Sequence, residues 1–393
     1  MSHYKSIDIN NLTTLTQNLV QIPTVNPPGN EKDLAEFLTL KLQELGFQVK
    51  NYNVDIGRPN VVGLLQGKVG KKTLMFNGHM DVVPPGNESL WTYDPFSGHK
   101  EDNRIYGRGA CDMKGGIASI ITSIKTIIDS NIDLNDNLLV TFVIDEETTG
   151  NGTKNIIKNG YKANYAVIAE PTELIPLRGH KGVLWMEIQT LGTSEHSSLV
   201  KSTNPKIGDN AIYHMNKIIS KIENLLPELE KKQNILLGNP TISLGTIIGG
   251  TKTNTVPDLC TITVDRRLIP GEKHVKVKQE IDTLISHIQT QNSNFKVNNK
   301  TIIERDSIEI PENEEIIQIC KNAASKVLGF DSPVSGCVGT TDMAILVNEG
   351  QIPTCILGPG RVNECHIINE YIEIDQLINA TKIYCDIILN TIC

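Results

Sequence analysis

Histidine and carboxylate residues follow four separate apolar segments of this chain, and side chains of these types can bind divalent metal ions. The first segment leads into Gly78-His79-Met80-Asp81. Residues two apart in an extended chain share a face, so His79 and Asp81 can point the same way. A metal-bound imidazole needs its second nitrogen oriented, and a carboxylate often does this. For such a short motif alone, however, a capping aspartate next to a structural histidine is the more common explanation.

The second candidate ligand is Asp112, which stands in a glycine-rich stretch, residues 106–116, before a long helical pattern. Taken by itself, Asp112 is typical of a helix N-cap. The glycine spacing matches neither the GxGxxG nor the P-loop pattern, which leaves nucleotide binding with little support. A carboxylate at this position could instead bridge two cations, because the glycines allow the backbone to approach closely.

Another apolar segment, residues 138–144, is directly followed by Asp145-Glu146-Glu147. Three consecutive acids would repel one another if they were buried without a cation. A solvated turn is one explanation of this run. The other explanation gives one glutamate to a metal and leaves its neighbour free as a general base.

Two further residues complete the pattern. Glu170 follows the strand-like residues 165–169, and His366 lies in Glu364-Cys365-His366 near the C-terminus. The sites of α/β sheets usually form where strands end. Four strands that each end in such residues are harder to explain by chance than any single motif. The oxygen and nitrogen donors, without thiolates, suit zinc, cobalt or manganese.

The segments that carry these residues alternate between helical and strand patterns. The helical patterns are 13–20, 32–45, 114–131 and 152–159, and the strand patterns are 60–65, 73–77, 137–144 and 165–169. This alternation predicts an α/β domain with a mostly parallel, buried sheet. The same texture returns with a helix over 314–328 and a strand over 353–357.

Between these two parts the pattern changes. Strand patterns at 183–191, 241–247, 260–266 and 295–303 alternate with helical patterns at 210–226 and 275–289. The βαββαβ order predicts a small open sandwich inserted into a larger, discontinuous domain. We therefore divide the chain into residues 1–177, 178–305 and 306–393, of which the first and the last form the catalytic domain.

The composition limits the possible functions. A chain of 393 residues is longer than one hydrophobic core usually serves, which agrees with two domains. The formal net charge of −8 disfavours nucleic-acid binding. No apolar run approaches the roughly 18 residues of a membrane span, and the N-terminal residues lack a signal-peptide pattern, so we expect a cytoplasmic protein. The eight cysteines form no CxxC pair, which disfavours a thiolate zinc site.

Eight blocks of the sequence, taken in order, resemble those of the acetylornithine deacetylase / succinyl-diaminopimelate desuccinylase family, to which aminoacylases and carboxypeptidase G are related. These blocks are GHMDVVP, YGRGACDMKGG, DEETTGNG, AEPT, GTSEHSS, DRRLIPGE, GTTDM and ECHIINEY. The resemblance covers nearly the whole chain. It implies a two-metal amidohydrolase that consists of an α/β catalytic domain and an inserted lid and dimerisation domain.

The resemblance also implies a complete set of metal ligands. His79 and Glu170 would hold one divalent ion, Glu147 and His366 would hold the other, and Asp112 would bridge the two. Zinc is the first expectation for both ions, with cobalt or manganese as alternatives. Two such ions polarise a carbonyl group and activate a water molecule.

Catalytic roles follow from the same resemblance. Glu146 would act as the general acid/base, and Asp81 would stand behind His79. His196 resembles a histidine that reaches the active site of the other subunit in a homodimer and stabilises the oxyanion, although a histidine in such a polar loop is by itself typical of the surface.

Three residues resemble positions that contact the substrate. Arg266 would hold a substrate carboxylate, for which a guanidinium group is well suited, and Asn254 would assist it. Thr341 lies in a block that lines the substrate, but a Gly/Thr turn that caps the next helix explains it equally well. Arg267 is expected to be a solvated strand residue.

The leading functional hypothesis is hydrolysis of the amide bond of a small N-acyl amino acid. Glu170 favours it, because glutamate at this position resembles deacylases and carboxypeptidases, whereas aminopeptidases tend to carry aspartate. A carboxypeptidase or dipeptidase of the same fold, acting on a short peptide, is the alternative. A non-catalytic binding protein is disfavoured because Glu146 and all five ligand positions are present.

Overall fold

The structure is a computed structural model that describes residues 5–200, 209–291 and 295–393. This part of the chain forms two compact units. The first unit contains the chain up to Gly179 together with Ile310–Gly336 and Thr341–Cys393. The second unit contains His180–Glu309 and Cys337–Thr340. Within the described ranges we find no helix that combines the length and the apolar character of a membrane span.

The N-terminal part of the first unit contains four α-helices and eight strands among its described residues. They are α1 (Ile9–Val20), α2 (Lys32–Glu44), β1 (Gln48–Asp55), β2 (Arg58–Leu65), β3 (Thr73–His79), β4 (His99–Glu101), β5 (Arg104–Tyr106), α3 (Gly115–Asp129), β6 (Asn137–Val143), α4 (Asn151–Lys158), β7 (Tyr165–Ile168) and β8 (Leu177–His180).

The remaining elements follow in chain order. The second unit contributes β9 (Gly182–Leu191), α5 (Ala211–Glu223), α6 (Leu226–Glu230), β10 (Thr241–Gly249), β11 (Leu259–Leu268), α7 (His274–Gln291), β12 (Lys296–Arg305) and β13 (Ile308–Glu309). After it come α8 (Glu315–Leu328), β14 (Ser335–Cys337), α9 (Met343–Asn348), β15 (Thr354–Ile356), β16 (Tyr371–Glu373) and α10 (Ile374–Thr391).

The main sheet of the first unit has the strand order β1-β2-β6-β3-β7-β15-β8. Its central strands β6, β3, β7 and β15 are parallel, whereas β1, β2 and β8 add antiparallel pairs at the sides. The register places His79 opposite Val143 and Asn77 opposite Ile168. The carboxyl ends of β3, β6 and β7 therefore lie at one edge of the sheet, where α/β folds form their sites. The mixed α/β fold with a mostly parallel central sheet is confirmed.

Helix α3 begins just after Asp112 and packs against the segment that precedes Glu170. It is buried over nearly its whole circumference and packs against α1 and α10. A Cβ atom at Gly116 would lie 2.2 Å from the carbonyl oxygen of Ala169, so only glycine fits there. This glycine lets the helix that follows Asp112 approach the strand that precedes Glu170.

The sheet of the second unit is antiparallel, with the order β10-β11-β9-β12. Helices α5 and α7 cover one face of it, and the elements follow the expected βαββαβ order with α6 as a short addition. The core between the helices and the sheet includes Leu184, Met215, Ile262 and Ile281. Burial alternates along β11, so its residues point in turn to this core and to the other face.

Several elements are not foreseen by the sequence patterns, among them strand β1, helix α10 and the small sheet β16-β5-β4. Most residues of β1 are exposed, so the strand has no apolar run to reveal it. The strands of the small sheet have three residues each, which is too short for a periodic pattern.

Candidate metal centre

His79 is the last residue of β3 and is 2% exposed. Its Nε2 atom lies 2.9 Å from Oδ1 of Asp112 and 3.5 Å from Oε1 of Glu170. Its Nδ1 atom lies 2.8 Å from the main-chain oxygen of Asp81 and 3.8 Å from Oδ1 of that residue. The ring is therefore oriented mainly by the main chain at Asp81, and not by the carboxylate that the sequence suggested.

The carboxylate of Asp81 has a different set of partners. It is fully buried and accepts hydrogen bonds from the main-chain N–H groups of Glu146 and Glu147, each at 3.2 Å, and from Nδ2 of Asn26 at 2.8 Å. Burial raises the pKa of this carboxyl group, although His79 and the hydrogen bonds partly offset the effect. Asp81 thus fixes the backbone that presents the two glutamates.

Asp112 lies between two imidazole rings. Its Oδ1 atom faces His79, and its Oδ2 atom lies 3.2 Å from Nε2 of His366. Burial opposes ionisation of this carboxyl group, but the hydrogen bonds from His366 and His79 outweigh it and lower the pKa of Asp112. A carboxylate with one oxygen toward each histidine has the geometry of a bridging ligand.

His366 and Glu147 face each other, with Nε2 and Oε1 3.2 Å apart. The hydrogen bonds to Asp112 and Glu147 raise the pKa of His366 to about 11. Burial and the nearby charge of Asp112 raise the pKa of Glu147 to about 7. Burial and Asp112 also raise the pKa of Glu170. These carboxylates therefore resist carrying their charges together unless positive charge lies among them.

The donor atoms of this cluster fit divalent cations. His79, Glu146 and Glu170 each offer a ligand atom within 4.8 Å of the others, and the same holds for His79, Asp112 and Glu147. Buried nitrogen and oxygen donors that converge in this way suit zinc, cobalt or manganese. The five residues expected as ligands are thus brought together, and Glu146 lies among them.

Asp145 has a backbone φ of 69°, in the left-handed region, and its carboxylate has partners other than the expected metal ligands. Its carboxylate accepts hydrogen bonds from Oγ1 of Thr148 at 2.5 Å, from the Thr149 hydroxyl and from Asn26 at 3.1 Å. Nη1 of Arg58 lies 3.4 Å away. The run of three acids therefore divides into one structural residue and two that face the site.

Glu370 is a residue of the site that the sequence reading did not single out, although it lies within the block ECHIINEY. It is fully buried, and its Oε1 atom accepts hydrogen bonds from the main-chain N–H groups of Cys111 at 3.0 Å and Asp112 at 3.1 Å. Its other oxygen accepts from the guanidinium group of Arg108, which is also buried. Glu370 thus positions the backbone that carries Asp112, and no local sequence pattern indicates this long-range contact.

In the second unit, His196 and Asn254 lie close together. His196 is exposed, and its Nδ1 atom lies 2.8 Å from the hydroxyl of Ser198. The N–H group of Ser197 donates to the carbonyl oxygen of Asn254 at 3.0 Å, which links the two loops. Both side chains are therefore presented to solvent at one place in this unit.

Arg266 is expected to hold a substrate carboxylate, but its guanidinium group is paired with a carboxylate of the protein itself. It lies on β11 opposite Leu184, on the face covered by helices, and is 2% exposed. It donates to Oε1 of Glu272 at 2.7 Å and to the carbonyl oxygen of Arg267. Arg267 points to the other face, pairs with Asp265 at 2.9 Å and retains 27% side-chain exposure.

Thr341, expected to contact the substrate, is 7% exposed, and its hydroxyl accepts a hydrogen bond from the N–H group of Met343 at 3.2 Å. This contact satisfies the first main-chain N–H group of α9, whose N-cap residue is Asp342.

Comparison with known proteins agrees with this geometry. Residues 75–390 match the sequence model of peptidase family M20/M25/M40. The chain is 30% identical over 406 residues to N-formyl-4-amino-5-aminomethyl-2-methylpyrimidine deformylase of Bacillus subtilis, covering 96% of this chain and 94% of that protein. It is 30% identical over 379 residues to acetylornithine deacetylase of Vibrio campbellii, covering 91% and 92%. Its fold resembles that of the M20 family metallo-carboxypeptidase Sso-CP2 from Sulfolobus solfataricus, with a TM-score of 0.81, 23% identity, and coverage of 96% and 98%.

Proposed function

The chain belongs to peptidase family M20/M25/M40 and is a metal-dependent hydrolase, and from this premise we propose that it cleaves the amide bond of a small N-acyl amino acid. The observation that carries the proposal is the convergence of His79, Asp112, Glu147, Glu170 and His366 around a buried glutamate, Glu146. Two relatives at 30% identity, described above, are a deformylase and a deacetylase by name. Both names describe removal of a short acyl group from nitrogen, which favours a deacylase.

The proposed cofactor is a pair of divalent metal ions, with zinc as the first choice. His79 and Glu170 would hold one ion and Glu147 and His366 the other, while Asp112 would contribute one oxygen to each. Such a pair supplies Lewis-acid polarisation of the scissile carbonyl and activation of a water molecule.

Proton transfer is assigned to Glu146. The residue is 7% exposed, and its main-chain N–H group donates a hydrogen bond to Asp81. This hydrogen bond fixes the backbone from which the Glu146 side chain extends beside the ligands. Glu146 would take a proton from the attacking water and deliver it to the leaving amine. Asp81 would keep Glu146 and Glu147 in their separate roles by holding both main-chain N–H groups.

Substrate binding and assembly form the second part of the proposal. A guanidinium group on β11, that of Arg266 or Arg267, would hold the carboxylate of the substrate. Arg266 pairs with Glu272, which leaves Arg267 as the more accessible of these two arginines. His196 would donate to the oxyanion in the active site of a second subunit, which requires a homodimer. Asn254, which lies beside His196, would assist in binding the substrate.

A hydrolysis panel tests the proposed reaction. The purified protein, first stripped with a chelator, would be incubated with zinc or cobalt and with N-formyl, N-acetyl and N-succinyl amino acids, an N-formylated aminomethylpyrimidine, and unblocked dipeptides. We expect activity only after metal is restored, and faster release of the amine from an N-acyl compound than from any dipeptide. Faster dipeptide cleavage would make the protein a peptidase, and full activity without metal would contradict the proposal as a whole.

A further inference from the structure

Two cysteine thiols lie next to each other beside the cluster of ligands. The Sγ atoms of Cys111 and Cys365 are 3.6 Å apart, although the residues are separated by 254 positions in the chain. Both thiols point to the same acceptor, the carbonyl oxygen of Arg361, at 3.5 Å and 3.4 Å. Cys111 is fully buried, whereas Cys365 is partly exposed. Cys365 is therefore the thiol that a small reagent would reach first, and Cys111 lies next to it.

Each of these cysteines directly precedes a proposed metal ligand. Cys111 is followed by Asp112, and Cys365 is followed by His366. The two ligands also face each other, since Oδ2 of Asp112 lies 3.2 Å from Nε2 of His366. A covalent bond between the sulfurs would therefore act on the two backbone segments that bring these ligands together.

We propose that Cys111 and Cys365 form a reversible disulfide that weakens metal binding, so that the thiol pair is an oxidative modification site for low-molecular-weight disulfides. This inference rests on the proposed two-metal function for its effect on activity. Formation of the bond itself does not depend on that function.

The reaction consists of two thiol–disulfide exchanges. Cys365 loses its thiol proton and attacks one sulfur of the small disulfide, whose S–S bond breaks to give a mixed disulfide and one small thiol. Cys111 then loses its proton and attacks the Cys365 sulfur, which releases the second small thiol. Two protons and two electrons pass from the protein sulfurs to the reagent, so one disulfide is formed and one is reduced.

The bond requires one of the two segments to move. A disulfide has an S–S length of about 2.03–2.05 Å, so the sulfurs must approach by about 1.5 Å. The Cys111 segment is held by hydrogen bonds from two main-chain N–H groups to Glu370. The His366 side chain is 50% exposed and lies in a turn with a φ of 61°. We therefore expect the Cys365 segment to shift and to draw His366 away from Glu147.

The experiment uses the full chain loaded with zinc and treated for hours with glutathione disulfide or with buffer. Peptide mapping by mass spectrometry should find a Cys111–Cys365 cross-link two mass units lighter than the reduced pair. Gel filtration followed by metal analysis should show loss of up to one zinc per chain, and competitive titration should show at least a ten-fold higher Kd for that ion. A phosphine reductant should restore both the mass and the zinc affinity.

Matched variants assign the effect to this thiol pair. Cys365→Ser and Cys111→Ser should each retain zinc after the same treatment, relative to their own untreated samples. Cys393→Ser removes a partly exposed cysteine at the C-terminus and should lose zinc as the wild type does. Absence of the cross-linked peptide, or a cross-linked protein whose zinc affinity changes less than two-fold, would overturn the inference. Loss of the proposed acylase function alone would leave cross-linking and zinc release measurable.

Discussion

At the residue scale, the site depends on which carboxylates face the histidines and which face the backbone. Asp145 and Asp81 both accept hydrogen bonds from neighbouring polar groups, whereas Asp112, Glu147 and Glu170 direct oxygens toward imidazole nitrogens. Acidic residues of identical chemistry thus divide into structural residues and proposed ligands. The division follows from the donors that surround each one.

The separate role of Glu146 can be tested by substitution. Glu146→Gln should lower kcat by about 10²–10⁴-fold, since it removes the proton carrier, and should leave the metal content unchanged. Steady-state kinetics and metal analysis of the same sample measure both effects. Glu147→Gln is the matched control, because it should lower the metal content instead. Loss of metal from Glu146→Gln but not from Glu147→Gln would exchange the roles of these residues.

At the element scale, the loop before β16 supports the turn before α3. Glu370 accepts two main-chain hydrogen bonds from that turn and pairs with the buried Arg108, so a long-range contact fixes Asp112. Partners that orient a metal ligand commonly contribute 10–100-fold to metal affinity.

We accordingly predict that Glu370→Gln raises the Kd for zinc about 10–100-fold, because the backbone of Asp112 loses a charged anchor. Competitive titration against a chromogenic chelator measures this value. Glu373→Gln is a control in the same region. Glu373 is partly exposed, and its ion pair with Arg104 is long, at 3.6 Å. Equal zinc affinity in the two variants would show that Glu370 does not position the ligand.

The arginines of β11 provide a second test at this scale. Arg266→Met should lower the free energy of unfolding by about 1.5–3 kcal/mol, because it removes hydrogen bonds to the largely buried Glu272. Arg267→Met, which removes a partly exposed pair, should cost less than about 1 kcal/mol. Urea unfolding at neutral pH measures both. If Arg267→Met is instead the more destabilising substitution, the assignment of the buried pair as structural is wrong.

The Arg266 effect should also depend on pH. Burial opposes ionisation of Glu272, but Lys232 and Arg266 outweigh it and lower the pKa of this carboxyl group. A lowered folded-state pKa means that the stabilisation is complete above the ordinary pKa of glutamate and is lost as the pH falls through the folded-state value. The difference in unfolding free energy between wild type and Arg266→Met should therefore shrink as the pH falls below the ordinary pKa of glutamate. A difference that stays constant would contradict this origin.

At the scale of the whole molecule, the second unit carries the features of an interface. Strand β10 lies at the edge of its sheet, and Ile247 and Ile248 on it are 59% and 73% exposed. An apolar edge strand favours pairing with another chain, and a two-fold partner is the most common solution. The proposal that His196 acts in a second subunit depends on such a dimer.

Complementation tests the dimer and the histidine together. His196→Ala and Glu146→Ala should each be nearly inactive. Removal of an oxyanion donor costs about 10²–10³-fold in kcat, and removal of the proton carrier about 10²–10⁴-fold. Mixed dimers formed by subunit exchange should regain one site in which both residues are intact. Activity would be measured after exchange, with native mass spectrometry to count the mixed species. Confirmed exchange without recovered activity would show that His196 does not act in the other subunit.

The sequence by itself determined the fold class and the group of residues that meet at the site. Parallel strands place their carboxyl ends at one edge, so His79, Glu147 and Glu170 could be expected together from strand patterns alone. The ordered blocks added Asp112 and His366, which no local pattern could join to the others. The expectation that Arg267 is a solvated strand residue agrees with its 27% side-chain exposure, since adjacent residues of a strand point to opposite faces.

Only the tertiary structure decided which partner each side chain meets. A strand pattern cannot show that helices cover the face of Arg266, nor that the carboxylate of Asp145 pairs with Thr148 and Asn26. The contacts of Glu370 with the turn before α3, and of Cys111 with Cys365, join residues more than 250 positions apart. Local periodicity carries no information on such pairs, because they form only when the packing of the whole unit brings distant segments into contact.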